Sequence, residues 1–232
     1  MKLKKIASLM LAGVMAVSML AGCSGNSTGN GNDNGNTVVT PGASAIVTAF
    51  NNGQDADNKV KVNFTSNSSL DNALKVAVEN AGSYDSAWAI LNTVYELRGT
   101  AGDLMSDFGD ENSNNLKDGM SFTAYGVMSL GSAYYWTEAD AVNAAARSMD
   151  NAIKNGVSYW VDTDNDGIVD NGEIQNFKLV ANSSKDGKKD GDTYYAYSYT
   201  GNVSMVAAQQ EGGSTTYYVV YSITQTVSEE KV

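Results

Sequence analysis

Residues 193–227, TYYAYSYTGNVSMVAAQQEGGSTTYYVVYSITQTV, decide the fold class of this chain. The stretch is dense in tyrosine and β-branched side chains, which pack well on a pleated, half-buried surface and lose rotamer freedom in a helix. Three segments read as strands, 193–200, 203–209 and 215–227, with Gly201-Asn202 and Gly212-Gly213 between them as turn signals. An antiparallel meander is the expected result. In its last strand, period-two alternation turns Tyr217, Val219, Tyr221 and Ile223 towards helices and Tyr218, Ser222, Thr224 and Thr226 outward.

Upstream of this stretch the apolar period lengthens from two to 3.6. Val60, Val62 and Phe64 still alternate in a first strand, but Leu70, Ala73, Leu74, Ala77, Val78 and Ala81 recur at helical spacing. Trp88, Leu91, Val94 and Tyr95 do the same on a second helix that stops near Gly99. Thr137, with Asp140 three residues on, is a capping-box variant that opens a third helix. Its buried side is Val142, Ala145, Met149 and Ile153, and Gly156 closes it. Residues 120–136 stay open: Met120, Phe122 and Ala124 alternate as in a strand, while Gly126 and Gly131 speak against a regular helix. The expected fold class is α+β, one domain over residues 43–232 with helices packed on one face of an antiparallel sheet. A domain of this size buries enough apolar surface to fold without disulfides.

Residues 162–173, DTDNDGIVDNGE, carry a different signal. Asp162, Asp164 and Asp166 put carboxylates at positions 1, 3 and 5 of a twelve-residue loop, with Gly167 at the sharp turn. The Ile168 carbonyl at position 7, Asp170 at position 9 and a bidentate Glu173 at position 12 complete an oxygen cage suited to Ca2+. The stretch resembles the EF-hand loop and its extracellular relatives in dockerin and thrombospondin type 3 repeats, with apolar Val169 at position 8 and Ile174 after the glutamate. The flanks depart from that pattern. Residues 157–161 alternate like a strand, where an EF-hand has an entering helix, and residues 174–180 read as either a short helix or a strand. Residues 184–193 hold acids and three lysines but no closing acid, so they read as a polar hairpin turn. A single loop without a paired site has no basis for the cooperative opening of calcium sensors, and the expected ion is structural.

The amino terminus gives an address. Lys2, Lys4 and Lys5 precede an apolar run, residues 6–20, that is short for a membrane span and suits a secretory leader over residues 1–22. The run ends in Leu20-Ala21-Gly22-Cys23, which resembles the lipobox of bacterial lipoproteins. That resemblance implies cleavage before Cys23, lipid on its thiol, and anchoring on the extracytoplasmic side of the cell membrane. Cys23 is the only cysteine, so no disulfide is expected within the chain. Residues 23–42 then form a Gly/Asn/Ser-rich tether containing the single proline, Pro41.

Removal of the leader takes three of the 15 basic residues and none of the 26 acidic ones, which leaves a net charge of −14. Such a surface repels nucleic acid and raises the local concentration of divalent cations. The chain has no histidine, so imidazole general-base chemistry and His-ligated zinc are excluded. Asp103, Asp107, Asp110 and Glu111 surround Gly109 and are the one cluster that could supply paired carboxylates. Tyr194, Tyr195, Tyr197 and Tyr199 read as strand residues, or as an exposed surface for a sugar or a protein. The expected function is that of a membrane-anchored, calcium-stabilised envelope lipoprotein that binds a surface protein or glycan without catalysis. The alternative is a carboxylate-based enzyme acting on cell-wall or other glycans.

Overall fold

The computed structural model describes residues 38–39, 43–81, 87–98, 116–130, 137–160, 174–183, 185–209 and 215–232. These fall in one compact unit, Gly35–Val232. Its centre is a hairpin of two long strands, β6 (Thr193–Gln209) and β7 (Thr215–Lys231), paired antiparallel from Thr193↔Lys231 to Gln209↔Thr215. On the far side of β7, β3 (Ser121–Leu130) pairs antiparallel from Ser121↔Thr226 to Leu130↔Tyr217. The other edge of β6 is shared: β1 (Val38–Val39) pairs antiparallel at Ala207 and Ala208, and β2 (Val62–Thr65) runs parallel from Val62↔Tyr199. A separate ladder joins β4 (Val157–Trp160) to β5 (Ile174–Phe177).

The expected three-strand meander is therefore one hairpin, because Gly201-Asn202 does not turn. Gly201 sits in mid-strand opposite Phe64 of β2 and Ile223 of β7. A Cβ there would lie 2.5 Å from Phe64 Cε1, so the glycine makes room for an aromatic ring and leaves the strand unbroken. The second signal, Gly212-Gly213, lies between the paired residues Gln209 and Thr215 and outside the described residues.

Among the described residues four helices complete the α+β fold: α1 (Ala43–Asn52), α2 (Ser68–Asn80), α3 (Ala87–Arg98) and α4 (Glu138–Asn155). They lie on both faces of the sheet. Odd-numbered residues of β6 and β7, Val203, Met205, Tyr217, Val219, Tyr221 and Ile223, share a core with Ile46 and Phe50 of α1 and Ala145, Met149 and Ile153 of α4. Even-numbered Val206, Ala208, Tyr218 and Val220 pack instead with Leu70, Leu74 and Val78 of α2 and with Ile90 and Val94 of α3. Packing on one face alone thus holds only for α1 and α4. Tyr218, expected to point outward, is 8% exposed beneath the second helical layer.

Local chemistry explains where the helices begin and end. Asn67 caps α2, its Oδ1 accepting from the amides of Ser69 and Leu70 at 3.0 and 3.1 Å. Thr137 caps α4, its Oγ1 accepting from the Asp140 amide at 3.2 Å and donating to Asp140 Oδ2 at 2.7 Å. Gly156 ends α4 at φ 133°, and its amide donates to the Ala152 carbonyl at 2.8 Å. Helix α1 is an addition to the expected elements, which began at Val60. It earns its place by burying Ile46 and Phe50, each 1% exposed, with the Phe50 and Phe64 rings edge-to-face at 5.0 Å.

Candidate metal centre

The residues expected to hold an ion hang from the β4–β5 ladder. Val157 opposes Phe177 and Trp160 opposes Ile174, so the strands on either side of residues 161–173 are paired. Paired Cα atoms in an antiparallel ladder are about 4.5–5.5 Å apart, which makes the base of this segment narrow. The strand entry expected at 157 is present, and the exit resolves to a strand. Asp162, Asp164, Asp166, Ile168, Asp170 and Glu173 themselves lie outside the described residues. Cys23 and the acidic cluster Asp103, Asp107, Asp110 and Glu111 lie outside them too.

The chain is fastened to the main sheet just inside β4 and just after β5, both at the end of the ladder away from residues 161–173. Inside β4, Tyr221 of β7 donates its hydroxyl to the Ser158 carbonyl at 3.0 Å. Burial pushes that hydroxyl's pKa far above the ordinary tyrosine range, so it stays a donor at any accessible pH. Gly126 of β3 makes this contact available, because a Cβ at that position would overlap the Tyr221 hydroxyl. After β5, Tyr199 Oη donates to the Val180 carbonyl at 3.0 Å, and the buried Gln225 side chain donates to Tyr199 Oη at 2.9 Å. The chain then runs antiparallel to β6. The Ser183 amide donates to the Tyr195 carbonyl at 2.8 Å and the Tyr197 amide to the Ala181 carbonyl at 2.9 Å, across the polar turn expected there. Two rigid anchors therefore bracket residues 161–173, and Val157 and Phe177 bury the seam between them, 0% and 6% exposed.

This arrangement also fixes what the tyrosines do. Tyr194, Tyr197 and Tyr199 are buried, and half-buried Tyr195 donates its hydroxyl to the Leu116 carbonyl at 2.8 Å. Tyr195 and Tyr199 hold loops against the sheet, and Lys185 Nζ sits 4.2 Å over the Tyr194 ring. Of the two readings of these residues, the strand reading is the one the structure follows.

Among the described residues no three His, Cys, Asp or Glu side chains converge as metal ligands. The nearest approach to an acidic cluster is already neutralised. Lys154 Nζ lies 2.9 Å from Asp55 Oδ2 and 2.8 Å from Asp150 Oδ2, while Asp150 Oδ1 accepts from the Asp55 amide and Asn58 Nδ2 at 2.8 Å each. The Lys154 hydrogen bond holds Asp55 below the ordinary carboxylate range, helped by the Asp57 amide. At Asp150, burial works the other way, but the bonds from Lys154, Asp55 and Asn58 outweigh it and the pKa is lowered. This group pins the turn after α1 to α4.

One acid is placed differently. Asp71, in the first turn of α2, has a buried Oδ1 with no hydrogen-bond partner, and burial raises its pKa. The Ser204 hydroxyl of β6, itself 1% exposed, faces it short of hydrogen-bond geometry and only partly offsets that rise. Nothing in the local sequence marks this pair, since Asp71 reads as an ordinary helix-start acid.

Comparison with protein-family models, with curated proteins and with solved structures gave no match to this chain. Among the described residues no helix is long and apolar enough to cross a membrane.

Proposed function

We propose that this chain is an envelope lipoprotein, anchored through lipid on Cys23, whose folded domain carries one structural Ca2+ and serves a binding role without catalysis. The ion would sit on Asp162, Asp164, Asp166, the Ile168 carbonyl, Asp170 and Glu173, a set of five carboxylates and one carbonyl that suits a hard cation with six to eight oxygen ligands.

The observation that supports this reading best is the pairing of Trp160 with Ile174. Asp162 is two residues from one side of that pair and Glu173 one residue from the other. A twelve-position calcium loop needs its first and last ligands drawn together, and the ladder supplies that constraint before any ion arrives. In an EF-hand, paired helices do the same work. Here the anchors are Tyr221 to Ser158 and Tyr199 to Val180. Because both belong to the buried sheet, ion binding would stiffen the loop and leave the domain's shape alone, which agrees with a structural ion.

Calorimetric titration of the purified protein with CaCl2 tests the proposal. One site with a dissociation constant of about 10⁻⁴ to 10⁻³ M is expected. Absence of heat at millimolar calcium, with a melting curve indifferent to chelator, would reduce the loop to an acidic turn.

A further inference from the structure

Among the described residues, the even-numbered face of the sheet is covered by α2 and α3 along the 202–208 half of β6, where Ser222 is 3% exposed and Tyr125 of β3 packs with Leu91 of α3, and is open around residues 198–200. Ser198 and Thr200 of β6 are exposed there. Across the ladder they meet Thr226 and Thr224 of β7, which in turn meet Ser121 and Thr123 of β3. Two rows of three hydroxyls result. In the second row, the Thr123 and Thr224 hydroxyls are hydrogen-bonded at 2.7 Å. Strand β2 widens the array, placing exposed Asn63 beside Thr200 and exposed Thr65 beside Asn202. Thr65 Oγ1 donates to Asn202 Oδ1 at 3.2 Å, and Asn202 Nδ2 to the buried Ser222 Oγ at 3.3 Å, so this third row ends the open face and holds its edge in a set orientation.

Strand geometry makes the array regular, with about 4.8 Å between neighbouring strands and about 6.8 Å between successive rows. Its rows hold no charged residue within the strands, in a chain whose formal net charge is −11, and the one charge at its rim, Lys61 just before β2, is bonded to the Gln54 and Asp55 carbonyls. Those two properties select an occupant. Each Ser or Thr hydroxyl both donates and accepts, which matches a partner that is itself a chain of hydroxyls. An apolar partner would strand the hydroxyls without bonds. A protein partner would want aromatic or arginine anchors at the centre, and the three rows offer none between β2 and β7. Nucleic acid or an acidic polymer would meet the repulsion of a net-acidic chain, and the one basic group at the rim, Lys61, is bonded to the Gln54 and Asp55 carbonyls.

We infer that this open hydroxyl face on β2, β6, β7 and β3 is a docking platform for an uncharged polysaccharide. The inference rests on the envelope-binding reading above and gives that reading a ligand class.

The test is co-sedimentation of the purified full chain with three insoluble neutral polymers, cellulose, curdlan and chitin, and with cross-linked pectate as an acidic counterpart, in calcium and in chelator. At least one neutral polymer is expected to deplete the protein from solution while pectate leaves it there. Thr200→Val with Thr224→Val keeps the β-branched shape and removes two hydroxyls. It is expected to weaken retention at least tenfold with the melting curve unchanged, whereas Asn143→Ala with Ser148→Ala, on the exposed side of α4, leaves retention as it was. Indifference to all three neutral polymers, equal retention by pectate, or wild-type retention of the valine pair would each overturn the inference. A chain that is lipidated and binds calcium yet ignores the polymers loses this inference alone. Retention without any calcium response keeps it and removes the ion from the reading above.

Discussion

The Tyr221 hydroxyl reaches the Ser158 carbonyl at 3.0 Å, joining the middle of β7 to the first residues of the strand that leads into the acidic loop. It does so from a side chain 4% exposed, over a glycine that leaves just enough room. Tyr221→Phe removes the donor of this part-buried bond, at an expected cost of about 0.5–1.5 kcal/mol in urea unfolding. If the bond positions the loop as argued, the same variant weakens calcium binding severalfold. A variant with wild-type calcium affinity would show that the anchor serves the fold only.

The proposed ion would contribute little to stability. For a dissociation constant between about 10⁻⁴ and 10⁻³ M, roughly 1 mM calcium adds on the order of 0.4 to 1.4 kcal/mol to the folded state. Chelation should then lower Tm by roughly 1–5 °C without unfolding the domain. Glu173→Gln, which weakens the bidentate ligand, should erase most of that calcium response in thermal melts, and magnesium should restore little of it.

Packing at Gly201 gives a sharper structural test. Gly201→Ala drives a methyl group towards the Phe64 ring, with an expected cost of about 1–3 kcal/mol from overpacking. Phe64→Leu in the same chain should recover part of the loss, because the two positions share one volume. Additive losses in a double-mutant cycle would count against the close approach.

Two groups of carboxylates respond to acid in opposite directions. Asp55 and Asp150 have lowered pKa values, so their bonds to Lys154 stabilise the fold above the ordinary value of 3.8 and are lost as pH falls below it. Asp71 is raised, so its contribution is full below 3.8 and is lost as pH rises through its folded value. Asp71→Asn should therefore raise the urea midpoint at pH 7 and lose that advantage in acid. Lys154→Met should move the urea midpoint at pH 7 only slightly, because exposed ion pairs contribute little. Urea titrations of both variants across pH decide the point.

Mass spectrometry of the amino-terminal peptide addresses the anchor. A diacylglyceryl-modified Cys23 at the mature terminus is expected. Recovery of a chain that retains Met1, or of a bare Cys23 thiol from the membrane fraction, would remove the lipoprotein from the proposal.

The sequence alone determined the elements whose signals are local. Helices α2, α3 and α4 follow from apolar residues three and four apart, and the caps at Thr137 and Gly156 from side chains within one turn. The same holds for the strand character of residues 193–227 and for the ligand spacing of residues 162–173. What only the tertiary structure decided depends on distant partners. Gly201-Asn202 has the composition of a turn, and nothing nearby reveals that Phe64 occupies the missing Cβ position. Tyr218 and Val220 alternate with an equally apolar set, so their burial waits on α2 and α3 arriving from the other half of the domain. The open hydroxyl rows are the plainest case. Ser121, Thr123, Ser198, Thr200, Thr224 and Thr226 come from three strands, and strand register, set by packing of the opposite face, is what aligns them.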